Sequence, residues 1–222
     1  IWMDQDNIEY DLSEISSSDL CDVYQHCISF DDAETVGTVY TNKGLSNYIN
    51  YQITNNFNGV LHDGDIVLDP ACGSGHLLKR SLFLASKLIG VKSFKTKAEM
   101  IEYFCSNHLA GIDKNPIASL ITRINIWLSC TTPGRSLPVL SKIICDNTLK
   151  RFENSCDAQG FQKSVFLNDL GSRVKIVLSN PPWSMIQGEH PEKWISESAV
   201  WKNQKVKICS GKNNIALNFL HL

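Results

Sequence analysis

The feature that most constrains the fold is a short apolar segment that runs directly into a glycine turn. Residues 66–69 are apolar up to a terminal acid, and the turn that follows contains Gly73 and Gly75. Apolar residues then recur at helical spacing, at Leu77, Leu78, Leu82, Ala85, Leu88 and Ile89. Strand, glycine turn and helix in this order are typical of the start of a nucleotide-binding βαβ unit. Because strands and helices continue to alternate up to residue 179, the pattern predicts an α/β fold with a mostly parallel sheet.

The glycine turn also restricts the ligand. Glycines let a ligand approach the backbone closely. However, the dinucleotide fingerprint needs a third glycine, and Leu78 stands at that position. The Gly-Lys-Ser/Thr ending of a phosphate loop is absent as well. The turn therefore predicts a site for a nucleoside without a pyrophosphate.

Two further segments are read as strands that end in polar residues. Residues 109–113 end in Asp113, and an acid at the end of the second strand is placed to bind ribose hydroxyls. The alternative is a solvated loop aspartate. Residues 142–147 form the other segment, where Asp146 can accept from an adenine amine and Asn147 is compatible with a simple turn.

A helix is predicted directly after Asp113. Asn115 is a good N-cap, and Pro116 suits the first helical position. The apolar face expected for this helix consists of Ile117, Leu120, Ile121, Ile124 and Leu128.

The sequence Asn180-Pro181-Pro182-Trp183 follows an apolar run, residues 174–179, which is read as a buried strand. Each proline holds the residue before it extended, so the Asn180 side-chain oxygen and the Pro181 carbonyl can point the same way. Trp183 offers a flat wall on which a ring can stack. The corner suits a planar amine-bearing group, whereas the alternative is a plain Pro-rich turn. It contains no obvious general base or nucleophile, so its chemistry would depend on positioning.

Four motifs, DPACGSG, GIDKNP, ICDNTL and NPPW, occur in that order. Together they resemble the catalytic domain of S-adenosylmethionine-dependent N6-adenine DNA methyltransferases, most closely the methylases of type I and type IIG restriction–modification systems. The resemblance covers about residues 34–222 and implies a Rossmann-like methyltransferase fold, with a mostly parallel central sheet flanked by helices. Residues 38–45 resemble the family's amino-terminal cofactor motif, although Asn42 stands where proline is usual. Residues 1–33 are expected to form a polar tail or helix, and the family's sheet is expected to be truncated at the carboxyl end.

The resemblance implies roles for individual residues. The implied S-adenosylmethionine-binding residues are Tyr40, Thr41, Asp69, Ala71, Cys72, Gly73, Gly75, Asp113, Lys114, Asp146 and Asn147. Among them, Asp113 would bind the ribose, and Asp146 would contact the cofactor's adenine with Asn147 beside it. Asn180 and the Pro181 carbonyl would hold the target amine, next to Pro182, and Trp183 would stack on the target base. Base flipping is implied, because the target atom cannot be reached inside a duplex.

Composition and net charge limit the number of domains, the kind of partner and the cellular location that we expect. The chain has 222 residues, enough for one well-buried α/β domain, and a formal net charge of −2, which provides no global basic field for DNA. This charge counts against a self-sufficient DNA binder, and the resemblance implies a separate or missing target-recognition domain or subunit. Eight scattered cysteines without a C-x-x-C pair argue against a zinc site and favour a reducing, cytoplasmic location. No apolar run is long enough to span a membrane.

Two rival functions remain open. The same fold can act on another amine, in RNA or on a protein glutamine. Alternatively, the chain is a non-catalytic fragment that binds cofactor or partner subunits.

Overall fold

Four parallel strands and the helices between them make up most of what the computed structural model describes, which is residues 20, 23–24, 41, 43–90, 94–130, 136–146, 148 and 173–181. In chain order the elements are α1 (Lys43–Asn56), β1 (Ile66–Asp69), α2 (His76–Ser81), a 3₁₀ turn (Leu82–Leu84), α3 (Ala85–Leu88), α4 (Lys97–His108), β2 (Leu109–Asp113), α5 (Pro116–Cys130), β3 (Ile143–Cys145) and β4 (Val174–Val177).

The strand order of the described sheet is β3-β2-β1-β4, and every pair is parallel. The chain moves outward from β1 through β2 to β3, and then returns to the other side of β1 as β4. In an open parallel sheet, ligands bind where the strand order reverses, outside the carboxyl ends of the strands. The predicted α/β fold with a parallel sheet is confirmed, and the reversal between β1 and β4 marks the place where a site is expected.

Apolar side chains cover both faces of β1. On one face, Val67 belongs to a cluster with the helices α2 to α5, which includes Leu78, Phe104 and Ile126. On the other face, Ile66 and Leu68 form a cluster with Ala110 and Ile112 of β2. The apolar residues predicted to form a helical face after the glycine turn are all buried, namely Leu77, Leu78, Leu82, Ala85, Leu88 and Ile89. Because a 3₁₀ turn separates α2 from α3, this stretch is two short helices and not one.

The apolar face predicted for α5 is confirmed only in part, since Ile121 is buried and Ile124 is half-buried. Of its five residues, Ile117, Leu120 and Leu128 are exposed, at 58%, 52% and 43%. Besides Ile121, the buried residues of the helix are Ala118, Ser119, Thr122, Asn125 and Ile126. Polar side chains lie inside because this face of α5 contacts the glycine loop, whose carbonyl groups require hydrogen-bond donors.

The prediction of a buried strand before Asn180 is confirmed only in part, since the strand is present but not all of its residues are buried. Ile176 is buried, whereas Lys175 and Val177 are exposed. Lys175 Nζ lies 3.9 Å from Asp65 Oδ1, an ion pair at the surface. Within the described sheet β4 pairs with β1 alone, and its residues alternate between exposed and buried in place of continuous burial.

The amino-terminal residues that the structure describes contact α5. Leu20 and Tyr24 pack against Ala118 and Ile121. The rest of the expected unit of residues 1–33 lies outside the described residues, so its extent stays a prediction. In the described parts of the chain, no helix has both the length and the apolar character needed to cross a membrane.

Candidate functional site

Three strand ends meet at one edge of the sheet and build the candidate site. Asp69 ends β1 and Asp113 ends β2. Asn180 follows β4, whose path beside β1 is continued by a 2.9 Å hydrogen bond from Leu178 N to Leu68 O. Since β1 lies between β2 and β4, the polar ends of these three strands flank the point where the strand order reverses.

The two glycines of the loop after β1 have different structural roles. Both adopt left-handed backbone conformations, with φ of 54° at Gly73 and 81° at Gly75. A Cβ atom at Gly75 would lie 2.8 Å from Thr122 Cγ2, so helix packing requires glycine there. A Cβ atom at Gly73 would have no atom of the described residues within 4 Å. Gly73 therefore faces open space, into which a ligand can fit against the backbone.

Most of the loop's N–H groups are already used inside the protein. Four of them donate hydrogen bonds: Ala71 to Asp69 Oδ1 at 3.1 Å, Cys72 to Ile112 O at 3.0 Å, Gly73 to Asp113 Oδ2 at 2.9 Å and Gly75 to Cys72 O at 2.8 Å. A phosphate-binding loop instead points its N–H groups at the anion. The arrangement thus favours a ligand that approaches the glycine surface over a phosphate held by free amides.

Asp113 connects the glycine loop with the start of α5. Its Oδ2 accepts from Gly73 N at 2.9 Å, and its Oδ1 accepts from Asn115 N at 2.8 Å. Each oxygen of an ionised carboxylate has a second lone pair, so capacity for ligand hydroxyls remains. Burial raises the pKa of the Asp113 carboxyl, while the Asn115 and Gly73 amides and the Lys114 cation favour its charged form. The ribose role implied for Asp113 is compatible with this geometry and stays a prediction.

The predicted start of α5 is confirmed. The Asn115 side-chain oxygen accepts from Ile117 N at 2.9 Å and from Ala118 N at 3.4 Å, and the helix begins at Pro116. The cap fixes the orientation of the residues that follow Asp113, so it helps to hold that carboxylate at the edge of the sheet.

Asp69 is a buried acid in the middle of the site. Burial raises the pKa of its carboxyl from 3.8 to about 7, the Ala71 amide and the Ser179 hydroxyl lower it, and the Asp113 charge raises it further. Ser179 Oγ is buried and makes no hydrogen bond of normal geometry, yet it lies close enough to favour the ionised form of Asp69. A carboxyl with a pKa of about 7 changes charge near neutral pH. Asp69 lies beside Ser179, which directly precedes Asn180.

Sequence reasoning missed the residues that hold the carbonyl groups of the loop. Thr122 Oγ1 donates to Gly73 O at 2.7 Å, and Asn125 Nδ2 donates to Ser74 O at 3.0 Å. Thr148 Oγ1 donates to Pro70 O at 2.7 Å. The signal that could have identified the first two is their spacing, since polar residues three apart lie on one face of a helix.

Several of the predicted site residues can be placed and others cannot. Thr41, Asp146, Asn180 and Pro181 are half-buried, and Lys114 is exposed. Asp146 N donates to Asp113 O at 2.8 Å, which brings the end of β3 to the same edge as the glycine loop. Tyr40, Asn147, Pro182 and Trp183 lie outside the described residues.

Among the residues that are described, no group of three or more His, Cys, Asp or Glu side chains could hold a metal ion.

A sequence model of one protein family, described as N-6 DNA Methylase, matches residues 16–222 of the chain. No curated protein sequence matches the chain.

Three solved structures have a similar fold. A cryo-EM structure of a DrdV–DNA complex gives a TM-score of 0.63 at 16% identity, over 92% of this chain and 21% of that one. The ATP-dependent Type ISP restriction-modification enzyme LlaBIII, bound to DNA, gives 0.62 at 14% identity, over 93% and 15%. A nuclease-deletion mutant of the Type ISP enzyme LlaGI, in complex with a DNA substrate mimic, gives 0.55 at 16% identity, over 83% and 17%. At these identities the similarity shows a shared fold, and the chain spans only 15% to 21% of the length of these proteins.

Proposed function

The chain belongs to the N-6 DNA methylase family, and from that premise we propose that it transfers a methyl group from S-adenosylmethionine to the N6 amine of an adenine flipped out of DNA. The observation that carries the proposal is the convergence of Gly73, Asp113 and Asn180 at the carboxyl edge of the sheet, where the strand order reverses. This is the position at which the fold binds ligands, and the three residues belong to three different motifs of the sequence.

The residues present fit the proposed cofactor. Gly73 faces open space that a side chain would fill. Asp113 holds the loop and retains lone pairs for the ribose hydroxyls. Asp69, beside the same loop, offers a carboxyl for the amino-acid end of the cofactor. Tyr40, Thr41, Lys114 and Asp146 are further residues that we propose to bind the cofactor. When bound, S-adenosylmethionine would supply an electrophilic methyl group to the amine; the sulfur would keep the electron pair of the broken sulfur–carbon bond, and the proton of the nitrogen would pass to solvent water.

Asn180 and Pro181 would hold the target amine. An adenine amine is a poor nucleophile, because its lone pair is delocalised into the ring. The Asn180 side-chain oxygen and the Pro181 carbonyl would accept its two hydrogens and favour a pyramidal nitrogen with a freer lone pair. Pro182 would keep Pro181 extended, and Trp183 would stack on the base. These residues act by positioning, so no covalent intermediate with the protein is required.

DNA is the proposed substrate because of the family, and its flipping is the costly step. Extrusion of a base from a duplex costs a few kcal/mol, and the cost is smallest where the base is already single-stranded. The net charge of −2 provides no overall attraction for the phosphate backbone. We therefore expect the chain to methylate single-stranded DNA more readily than a duplex when it acts alone.

The test is methyl transfer from labelled S-adenosylmethionine to four substrates: single-stranded DNA, duplex DNA, RNA and a glutamine-containing peptide. The expected product is N6-methyladenine in DNA, identified by mass spectrometry. An oligonucleotide with purine in place of adenine lacks the 6-amine and is the matched control, which should stay unlabelled. Label only in RNA or peptide would overturn the DNA assignment. Cofactor binding without label in any substrate would favour a non-catalytic fragment.

A further inference from the structure

We infer that Thr122 and Asn125 are positioning residues for the proposed cofactor site, because they fix the orientation of the glycine loop. The inference rests on the proposed function, since it concerns the same pocket. It adds two residues that none of the sequence motifs contains and that the apolar pattern of the helix did not include.

The two side chains reach the loop from one face of α5. Thr122 and Asn125 are both fully buried, at 0% exposure, and three positions apart they share one helical face. Thr122 Oγ1 donates to Gly73 O at 2.7 Å, and Asn125 Nδ2 donates to Ser74 O at 3.0 Å. Two consecutive carbonyl groups of the loop are therefore held toward the helix.

Holding these carbonyl groups also sets the direction of the peptide N–H groups. In a trans peptide unit, the C=O and N–H bonds point in opposite directions. The contact at Gly73 O thus directs the N–H of Ser74 away from α5, and the contact at Ser74 O does the same for Gly75, whose N–H bonds to Cys72 O at 2.8 Å. Without the two donors, these carbonyl groups would have to rotate toward the pocket or stay unpaired, which costs free energy in a buried place.

The close approach between Gly75 and Thr122 supports the same conclusion. A Cβ atom at Gly75 would lie 2.8 Å from Thr122 Cγ2, 2.9 Å from Thr122 Oγ1 and 3.1 Å from its Cα. The loop backbone thus lies directly against this one residue of α5. As a result Gly73, on the other side of the turn, faces the open space in which we place the cofactor.

Cofactor affinity of the full chain tests the inference. Thr122→Val keeps the shape but removes the donor, and Thr122→Ser keeps the hydroxyl. Ser119→Ala is the matched control, because Ser119 is buried on the same helix but its Oγ bonds to Pro116 O at 3.0 Å, within α5. By calorimetry we expect Thr122→Val to bind S-adenosylmethionine up to about tenfold more weakly, because binding must then restore a loop orientation that one buried hydrogen bond no longer holds. Thr122→Ser and Ser119→Ala should stay close to the parent.

A second measurement does not depend on the ligand. Hydrogen–deuterium exchange of residues 70–75 should be faster in Thr122→Val and in Asn125→Leu than in the parent or in Ser119→Ala. The reason is that in each of the first two variants one carbonyl group of the loop loses its hydrogen bond to α5. Parent-like affinity together with parent-like exchange in both variants would overturn the inference. If the parent chain does not bind the cofactor but its loop exchange still depends on Thr122, the proposed function fails while the positioning role stands.

Discussion

The Gly73 amide donates a 2.9 Å hydrogen bond to Asp113 Oδ2, which joins the loop after β1 to the end of β2. The second oxygen of the same carboxylate accepts from Asn115 N at 2.8 Å. One side chain therefore connects the glycine loop, the second strand and the start of α5. A change at Asp113 should for this reason affect both the loop and any ligand that lies on it.

The first prediction concerns this carboxylate. Asp113→Ala should weaken S-adenosylmethionine binding, because the proposed ribose acceptor is lost. The same change leaves the Gly73 and Asn115 N–H groups without their acceptor. Each lost hydrogen bond should lower the free energy of unfolding by about 1 kcal/mol. Asp113→Asn keeps one acceptor oxygen and should recover part of that stability. Calorimetry measures the affinity and urea denaturation the stability; an unchanged affinity in the alanine variant would remove Asp113 from the cofactor site.

The second prediction separates catalysis from cofactor binding. Asn180→Ala should abolish methyl transfer, because one of the two acceptors for the target amine is lost, whereas the affinity for S-adenosylmethionine should change little. Lys175→Ala is a suitable control, since Lys175 lies on the strand that precedes Asn180 but is exposed, and its partner is Asp65. Transfer of labelled methyl groups to single-stranded DNA measures the activity. Equal activity of the Asn180 variant and the parent would contradict the role.

Local sequence patterns were sufficient to predict the elements that carry the site. The apolar run before Asp69 and the two glycines predicted a strand and a turn, and both are present. Asn115 followed by Pro116 predicted the start of a helix, and Asn115 does cap α5. These features depend on neighbours in the chain, so a single sequence is enough to identify them.

The buried face of α5 could not be predicted in this way. The helix has apolar residues on more than one side, so the spacing indicated a helix but grouped the exposed residues Ile117, Leu120 and Leu128 with the buried Ile121. What decides the burial is the position of α5 across the glycine loop, which brings Thr122 and Asn125 to the carbonyl groups of Gly73 and Ser74. That relationship joins residues about fifty positions apart. The spacing of Thr122 and Asn125 places both on one face of the helix, but it does not show that the glycine loop lies against that face.

The third prediction uses the difference between the two loop glycines. Gly73→Ala places a methyl group in open space, so the backbone strain at φ of 54° should cost only about 1 kcal/mol of stability. Cofactor binding should nevertheless be strongly weakened, because the methyl group occupies the proposed ligand space. Gly75→Ala places its methyl group 2.8 Å from Thr122 Cγ2, so its main effect should be on stability. Thermal denaturation and calorimetry on both variants test the pair; unchanged affinity in the Gly73 variant would place the cofactor elsewhere.

The fourth prediction concerns the pH dependence that Asp69 causes. Burial raises the pKa of this carboxyl from 3.8 to about 7. An acid with a higher pKa in the folded chain than in the unfolded chain binds more protons when folded, so its contribution to the free energy of unfolding falls as the pH rises between those two values. Above about 7 the contribution is constant. The largest slope for one group is about 1.4 kcal/mol per pH unit.

Asp69→Asn is the variant that isolates this effect. The amide keeps an oxygen that can accept from Ala71 N, as Asp69 Oδ1 does at 3.1 Å, but it does not titrate. The free energy of unfolding of the parent minus that of the variant should decrease from about pH 5 to about pH 7 and then level off. Titrating groups that do not interact with Asp69 cancel in the difference, whereas Asp113, whose charge acts on Asp69, adds a smaller contribution of its own. Urea denaturation of both proteins across this range gives the curve. A difference that rises with pH would mean that the folded protein stabilises the ionised form of Asp69, and a flat difference would mean that the carboxyl is not buried in the way the structure shows.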